Sequence, residues 1–318
     1  MICLGFDTSN YTTSVAAFDG TAGDNVSCLL PVKAGELGLR QSEALFSHIK
    51  RLPELSDRLF AHLDQTQLCA IGVSTRPRAV EGSYMPCFLA GESQARVLAA
   101  ALHVSLYEFS HQQGHIAAVL WSAGRLDLLG SEFLAWHLSG GTTELLHVRT
   151  TADGTIDCEK IGGTTDISAG QLIDRTGQLL GLEFPAGKAI DALAGQGCHS
   201  ERSEESVSPH SSEWFRVKVN GCEFSLSGVQ NQVQAFRERG ASEMETAYFA
   251  LRSVLEAVKK ATKNACKERA LPVLFSGGVA SNSMLRRMMP EAVFGAPQYS
   301  TDNAMGIAVL TWLKLNAG

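Results

Sequence analysis

The chain opens on an apolar, β-prone run, Met1 to Phe6, breaks into Asp7-Thr8-Ser9-Asn10-Tyr11-Thr12-Thr13, and turns apolar again from Ser14 to Phe18. Apolar runs flanking a hydroxyl-rich turn predict strand, turn, strand. The design recurs at Leu134 to Leu138, Ser139-Gly140-Gly141-Thr142-Thr143 and Glu144 to Val148, which predicts a duplicated unit whose second copy starts near residue 131. Helical periodicity fills the intervals. Ala90 to His103 is rich in Ala and Leu, and Ser168 to Leu182 carries apolar residues at Ala169, Leu172, Ile173, Leu179 and Leu180. Ser242-Glu243-Met244-Glu245 is a capping box opening a helix to about Lys267. Its stripe of Met244, Tyr248, Leu251, Val254, Leu255 and Val258 is expected in the core, with Lys259, Lys260, Lys263 and Lys267 on a solvated face. Trp214 to Val219, Asn220-Gly221 and Cys222 to Ser225 read as a hairpin with a tight turn. The Ser-rich, charged run from Cys198 to Ser212 reads as a flexible insertion. Strands alternating with helices, without strict βαβ repetition, predict an α/β fold with mixed sheets.

Composition narrows the picture in three ways. A length of 318 residues exceeds the usual single core, so two domains are expected. The net charge of −6 provides no global basic field, so nucleic acid would need a local patch or a helper protein. The eight cysteines are scattered without a CxxC, as expected of reduced cysteines in a cytoplasmic protein. The amino terminus reads as strand, turn and strand, not as a signal peptide, and no apolar run reaches membrane-spanning length.

The candidate chemistry begins at Ser110-His111-Gln112-Gln113-Gly114-His115, where two histidines four apart share one face of a helix start. Two imidazoles at that spacing can hold one divalent metal and leave room for a carboxylate. The spacing also arises by chance in a chain with nine histidines, and needs support from other residues. Four polar turns could cradle phosphates through backbone N–H groups and hydroxyls: Asp7 to Thr13, Ser139 to Thr143, Ser276-Gly277-Gly278-Val279-Ala280-Ser281-Asn282, and Thr301-Asp302-Asn303. The third lies between an apolar strand, Pro272 to Phe275, and a helix, Met284 to Met289, a familiar nucleotide-contact arrangement. Asp302 reads either as a third metal ligand or as the N-cap of a helix from Ala304 to Leu315. Asp174 reads either as a ribose contact or as a surface carboxylate paired with Arg175 or a lysine.

In this order the pieces resemble the universal tRNA threonylcarbamoyladenosine synthase subunit family, called TsaD in bacteria and formerly glycoprotease. His111-x-x-x-His115 resembles the family's HxxxH, and Leu138-Ser139-Gly140-Gly141-Thr142 stands at its V-S-G-G-H loop. Asp166-x-x-Ala169-Gly170-x-x-x-Asp174-Arg175 resembles D-x-x-A-G-E-x-x-D-K, and Phe184-Pro185-Ala186-Gly187, with Asp191 a turn on, resembles Y-P-G-G. Phe224-Ser225-Leu226-Ser227-Gly228 resembles F-S-F-S-G, the Ser276 to Asn282 turn resembles A-G-G-V-x-x-N, and Thr301-Asp302-Asn303 matches T-D-N. There are departures. Tyr11 and Thr12 replace an acidic pair, Thr142 a histidine, Gln171 a glutamate, and Arg76-Pro77-Arg78-Ala79 a G-P-G-L segment.

The resemblance implies the actin, sugar-kinase and Hsp70 superfamily fold, with two ribonuclease-H-like lobes around a central nucleotide cleft. Residues 1–127 would form the first lobe and 128–318 the second, with the last helix packing back on the first. It implies one divalent metal, iron or zinc, on His111, His115 and Asp302. It implies ATP or threonylcarbamoyl-AMP on Leu138, Ser139, Gly140, Gly141, Thr142, Asp174, Gly187, Asp191, Gly277, Gly278 and Asn282. The implied activity is transfer of threonylcarbamoyl from the adenylate to N6 of the adenosine beside the tRNA anticodon. No catalytic side chain is singled out. Implied partners are tRNA, related subunits of a threonylcarbamoyladenosine synthesis complex, and a homo- or heterodimer mate, away from any membrane. The alternative is a paralogue that binds adenylate and metal as a scaffold without transfer. A metalloprotease ranks below both, since HxxxH lacks the glutamate of H-E-x-x-H that activates water. A sugar-kinase activity would rest on fold alone, and fold does not set function.

Overall fold

A computed structural model describes residues 1–9, 11–31, 39–151, 155–199, 213–267 and 269–317. Asn10 and the run 200–212, with His210, lie outside the described residues. The opening pattern yields strand β1 (Ile2–Asp7) and strand β2 (Thr12–Phe18), paired antiparallel, so Thr12 and Thr13 belong to the strand and not to the turn. A third strand, β3 (Gly23–Leu29), and helix α1 (Gln41–Phe60) follow without having been anticipated. Strand β4 (Leu68–Arg76), helix α2 (Leu89–Leu102) and strand β5 (Ser105–Ser110) then lead into helix α3 (His111–Ser122). The first sheet has the order β3-β2-β1-β4-β5, with β1, β4 and β5 parallel.

The second half repeats the plan. Strands β6 (Phe133–Leu138), β7 (Thr143–Thr150) and β8 (Ile156–Thr164) precede helices α4 (Ala169–Leu179) and α5 (Gly187–His199). The anticipated hairpin is shorter than its sequence suggested. Only β9 (Val219–Asn220) and β10 (Glu223–Phe224) pair, around Gly221 at φ 57°, and 214–218 are not strand. Helices α6 (Ser227–Glu238) and α7 (Glu243–Ala265), strand β11 (Val273–Ser276), helix α8 (Ser283–Met288), strand β12 (Val293–Phe294) and helix α9 (Met305–Asn316) complete the chain. The second sheet runs β12-β11-β6-β7-β8-β10-β9. Its segment β8-β7-β6-β11-β12 mirrors β3-β2-β1-β4-β5, which is the duplication the repeated turns predicted.

Two compact units result. One comprises 1–132, 148–158 and 295–318, and the other 133–147 and 159–294. Helix α9 therefore groups with the amino-terminal unit. In that unit Leu52, Leu55 and Leu59 of α1 pack with Leu4, Phe6, Ile71 and Val73 of the sheet. Each leucine is 1% exposed, and such burial contributes about 2 kcal/mol per side chain. In the second unit α7 buries Tyr248, Leu251, Val254, Leu255 and Val258 as its stripe demanded. Met244, at the first turn, is instead 41% exposed. The Ser242 capping box forms, with Ser242 N–H donating to Glu245 Oε2 at 2.7 Å. Seven of the cysteines (Cys3, Cys28, Cys69, Cys87, Cys158, Cys222 and Cys266) are free thiols, of which only Cys3 and Cys87 are buried. No helix among the described residues is long and apolar enough to cross a membrane.

Candidate metal centre and glycine loops

His111 is the first residue of α3, and the helix starts there because Ser110 caps it. Gln113 N–H donates to Ser110 Oγ, and Ser110 N–H donates back to Gln113 Oε1 at 2.7 Å. Gln113 Nε2 also donates to the Ile156 carbonyl, which fixes the capping side chain. His111 and His115 project from one face, with ring centroids 4.3 Å apart. Asp302 reaches them from the turn before α9. Its Oδ1 lies 3.4 Å from His111 Nε2 and 3.2 Å from His115 Nε2. It does not cap the helix. Asn303 Oδ1 takes the Met305 N–H instead, and Asp302 is directed at the two histidines.

The turn is held from the sheet, because Ala304 N–H donates to Ser14 Oγ on β2 and to Asn25 Oδ1 on β3. The crossing of α3 and α9 is set by glycine. A Cβ on Gly306 would stand 1.8 Å from the Gly114 carbonyl oxygen, and one on Gly5 would stand 2.5 Å from the Ala304 carbonyl oxygen. Side chains at these positions would push α9, and Asp302 with it, away from the histidines.

The three donors fit a divalent cation. Bonds of about 2.0 Å at tetrahedral angles place ligand atoms about 3.3 Å apart, and one candidate atom from each residue falls within 4.8 Å of the others. Two imidazoles and a carboxylate suit zinc or iron(II) and leave positions for water or substrate oxygen. A fourth residue, not singled out from the sequence, joins them. Asp7, 1% exposed at the end of β1, places Oδ2 2.7 Å from His111 Nδ1, and its Oδ1 accepts the Ser9 N–H at 2.9 Å.

The charges respond to this crowding. Desolvation works against a charged His111, but the Asp7 and Asp302 carboxylates outweigh it and lift its pKa to about 10. Desolvation likewise opposes the Asp302 carboxylate, and the hydrogen bonds and charges of both histidines hold it well below the ordinary value. Without a cation, His111 is therefore protonated at neutral pH, and a cation must displace that proton to reach Nε2. Cation binding is expected to release about one proton near pH 7 and to tighten as the pH rises toward 10. Calorimetry in buffers of different ionisation enthalpy reads this directly, and pH-independent affinity would contradict it.

The second unit carries the glycine loops. Leu138 is buried in its core, so it presents backbone and not side chain. Ser139 Oγ accepts the Thr142 N–H at 3.0 Å, and Ser168 Oγ donates to the Gly140 carbonyl at 2.6 Å. Gly140, Gly141, Gly187 and Gly278 have open space where a Cβ would sit, whereas Gly277, at φ 90°, abuts the Leu138 carbonyl. Gln171, which replaces a glutamate, holds the fold in place here, since its Oε1 accepts the Ser168 N–H and completes the α4 capping box. Asp174 is half-buried and, among the described residues, pairs with neither Arg175 nor a lysine. It accepts the Ala186 N–H at 2.9 Å, and desolvation raises its pKa despite that bond. Asp191 accepts from Asn282 Nδ2 and from Ser283 N–H and Oγ, each at 2.9 Å, which ties α5 to the glycine turn. Asp166 accepts from the backbone N–H groups of Ile167, Leu226 and Ser227, pinning the 224–228 turn.

Comparison with known proteins places this architecture. HypF of T. kodakarensis superposes with a TM-score of 0.61 at 16% identity, over 99% of this chain and 48% of that one. Component A of (R)-2-hydroxyglutaryl-CoA dehydratase from Acidaminococcus fermentans gives 0.55 at 15% identity over the whole of both chains. The chain thus shares the α/β fold of these proteins. The TsaD family model, tRNA N6-adenosine threonylcarbamoyltransferase, matches residues 38–309. Relatives bearing that name are 29% identical in Carboxydothermus hydrogenoformans, over the whole of this chain and 93% of the relative, and 30% identical in Enterococcus faecalis, over 92% and 81%. The chain belongs to the tRNA N6-adenosine threonylcarbamoyltransferase family.

Proposed function

We propose that the chain transfers a threonylcarbamoyl group from threonylcarbamoyl-AMP to N6 of the adenosine beside the tRNA anticodon, and that this requires one divalent cation, zinc or iron, on His111, His115 and Asp302. The observation that carries the reading is the convergence of these three donors in a chain of this family. The cation would supply Lewis-acid polarisation of a carbonyl or phosphate oxygen. The chain's own residues bind and orient. The open backbone at Gly140, Gly141 and Gly278 leaves room for phosphate or carbonyl oxygens to approach N–H groups closely, and such groups favour charge developing on departing AMP. Asp174, with one oxygen on the Ala186 N–H, keeps its other oxygen for a ribose hydroxyl. Asp191 and Asn282 act together, since each holds the other, and shape the Gly277-Gly278 turn. The adenosine has to be presented unstacked, as an anticodon loop allows. With net charge −6, the chain would meet tRNA through a local patch or alongside related subunits, in the cytoplasm.

The test is transfer by the purified chain, with the related subunits, using threonylcarbamoyl-AMP and unmodified tRNA. Mass analysis of the digested tRNA should show modified adenosine, and its loss on chelation should be reversed by added metal. Adenylate binding without transfer would overturn the reading and leave a scaffold.

A further inference from the structure

Asp7 is the buried carboxylate next to the three donors that is not itself one of them. Its placement follows from the strand. Gly5 and Asp7 share a face of β1, and Gly5 lies against α9, so Asp7 is delivered to the side where α9 and its preceding turn sit. There it meets His111 on the ring edge opposite Asp302, since Asp7 contacts Nδ1 and Asp302 contacts Nε2. We propose that Asp7 is the positioning residue of the cation site: it takes the Nδ1 proton of His111 in a hydrogen bond and thereby commits the Nε2 lone pair to the cation. This rests on the reading of His111, His115 and Asp302 as a cation site.

The chemistry leaves little choice. A neutral imidazole has one N–H and one lone pair, and either nitrogen can carry the proton. A carboxylate only accepts, so a ring held 2.7 Å from Asp7 Oδ2 donates from Nδ1. The opposite tautomer would set two lone-pair atoms against each other at Asp7 and aim a proton at the cation. Asp7 is itself held, because the Ser9 N–H occupies its Oδ1, so the carboxylate cannot swing round to become a ligand without breaking that bond. It is also the single carboxylate of the stretch Asp7 to Thr13, where Tyr11 and Thr12 are uncharged. The negative charge behind the His111 ring therefore has one source there, and it makes the ring a stronger donor.

Asp7→Asn preserves shape and removes the charge. Cation affinity of wild type, Asp7→Asn and Asp7→Ala, measured by competition with a chromophoric chelator using zinc, should fall about 10–100-fold in both variants while one ion per chain is still reached at saturation. The visible absorption of the cobalt-substituted protein should shift in Asp7→Asn, which a merely structural role would not produce. NMR of the His111 ring nitrogens in zinc-loaded wild type needs no variant and should show the proton on Nδ1. A wild type that binds no zinc would sink the cation-site reading, and the inference with it. A wild type that binds zinc, alongside Asp7→Asn binding equally well or a proton found on Nε2, would sink the role of Asp7 alone.

Discussion

Asp302→Ala is expected to abolish tight cation binding, with a loss larger than the about 10–100-fold typical of removing an outer partner of a ligand. Two imidazoles remain in the variant, but the carboxylate facing both Nε2 atoms is gone. Transfer activity should fall with the metal. Stability provides a second readout. A cation that binds only the folded chain raises the melting temperature by mass action, so added zinc should raise it in wild type and leave the variant unmoved. Without zinc, the pH dependence divides by sign. His111, lifted to about 10, stabilises the fold below its ordinary 6.5 and loses that contribution as the pH rises through 10. Asp302, depressed below its ordinary 3.8, stabilises above that value and loses its contribution in acid. Asp302→Ala removes its own share and one of the two carboxylates that lift His111, so its melting curve against pH should be flatter on both sides. Elemental analysis showing one ion per chain in Asp302→Ala would end the assignment.

The second large effect is expected at a glycine that carries no functional group of its own. In Gly306→Ala the new methyl group would lie 1.8 Å from the Gly114 carbonyl oxygen and 2.8 Å from the Ala118 N, both backbone atoms that cannot rotate aside. One helix has to move. Overpacking of this kind costs about 3 kcal/mol or more, and here the displacement carries Asp302 away from the histidines as well. The denaturation midpoint should drop even with chelator present, and zinc affinity should drop in addition. A Gly306→Ala protein that melts with wild type would show that α3 and α9 do not approach as closely as described.

Much of this was written in local patterns. Polar turns between apolar runs announced β1-β2 and β6-β7, the helix starts read near Ser110 and Ser168 match α3 and α4, and the capping box at Ser242 placed the start of α7 to within a residue. The spacing of His111 and His115 was visible, as was the T-D-N triplet holding Asp302. What stayed hidden has physical reasons. Helix α1 buries Ala44, His48, Leu52, Leu55 and Leu59 at helical spacing, but a histidine occupies the stripe and Pro53 interrupts it. His48 is tolerated there because Thr13 Oγ1 sits 2.8 Å from its Nδ1, while burial presses its pKa down to about 4 and keeps it neutral. Strand β3 is half-exposed and mixes Asp24, Asn25 and Ser27 with its apolar residues, so it lacks the continuous apolar signal of its neighbours. Met244 followed the stripe of α7 but fell in the first turn, where it stays 41% exposed. Asp7 resembled one more polar residue in a turn, and its role depends on α3 being brought beside β1, which no local pattern records.

The candidate donors come from two places far apart along the sequence. His111 and His115 lie in α3, and Asp302 is made long after them, in the turn before α9. The Gly5, Gly114 and Gly306 contacts that seat α9 must form before the carboxylate can reach the rings. A chain in which α9 has not yet been made thus presents the two imidazoles without the carboxylate, so tight cation binding at this site would report that α9 has found its berth.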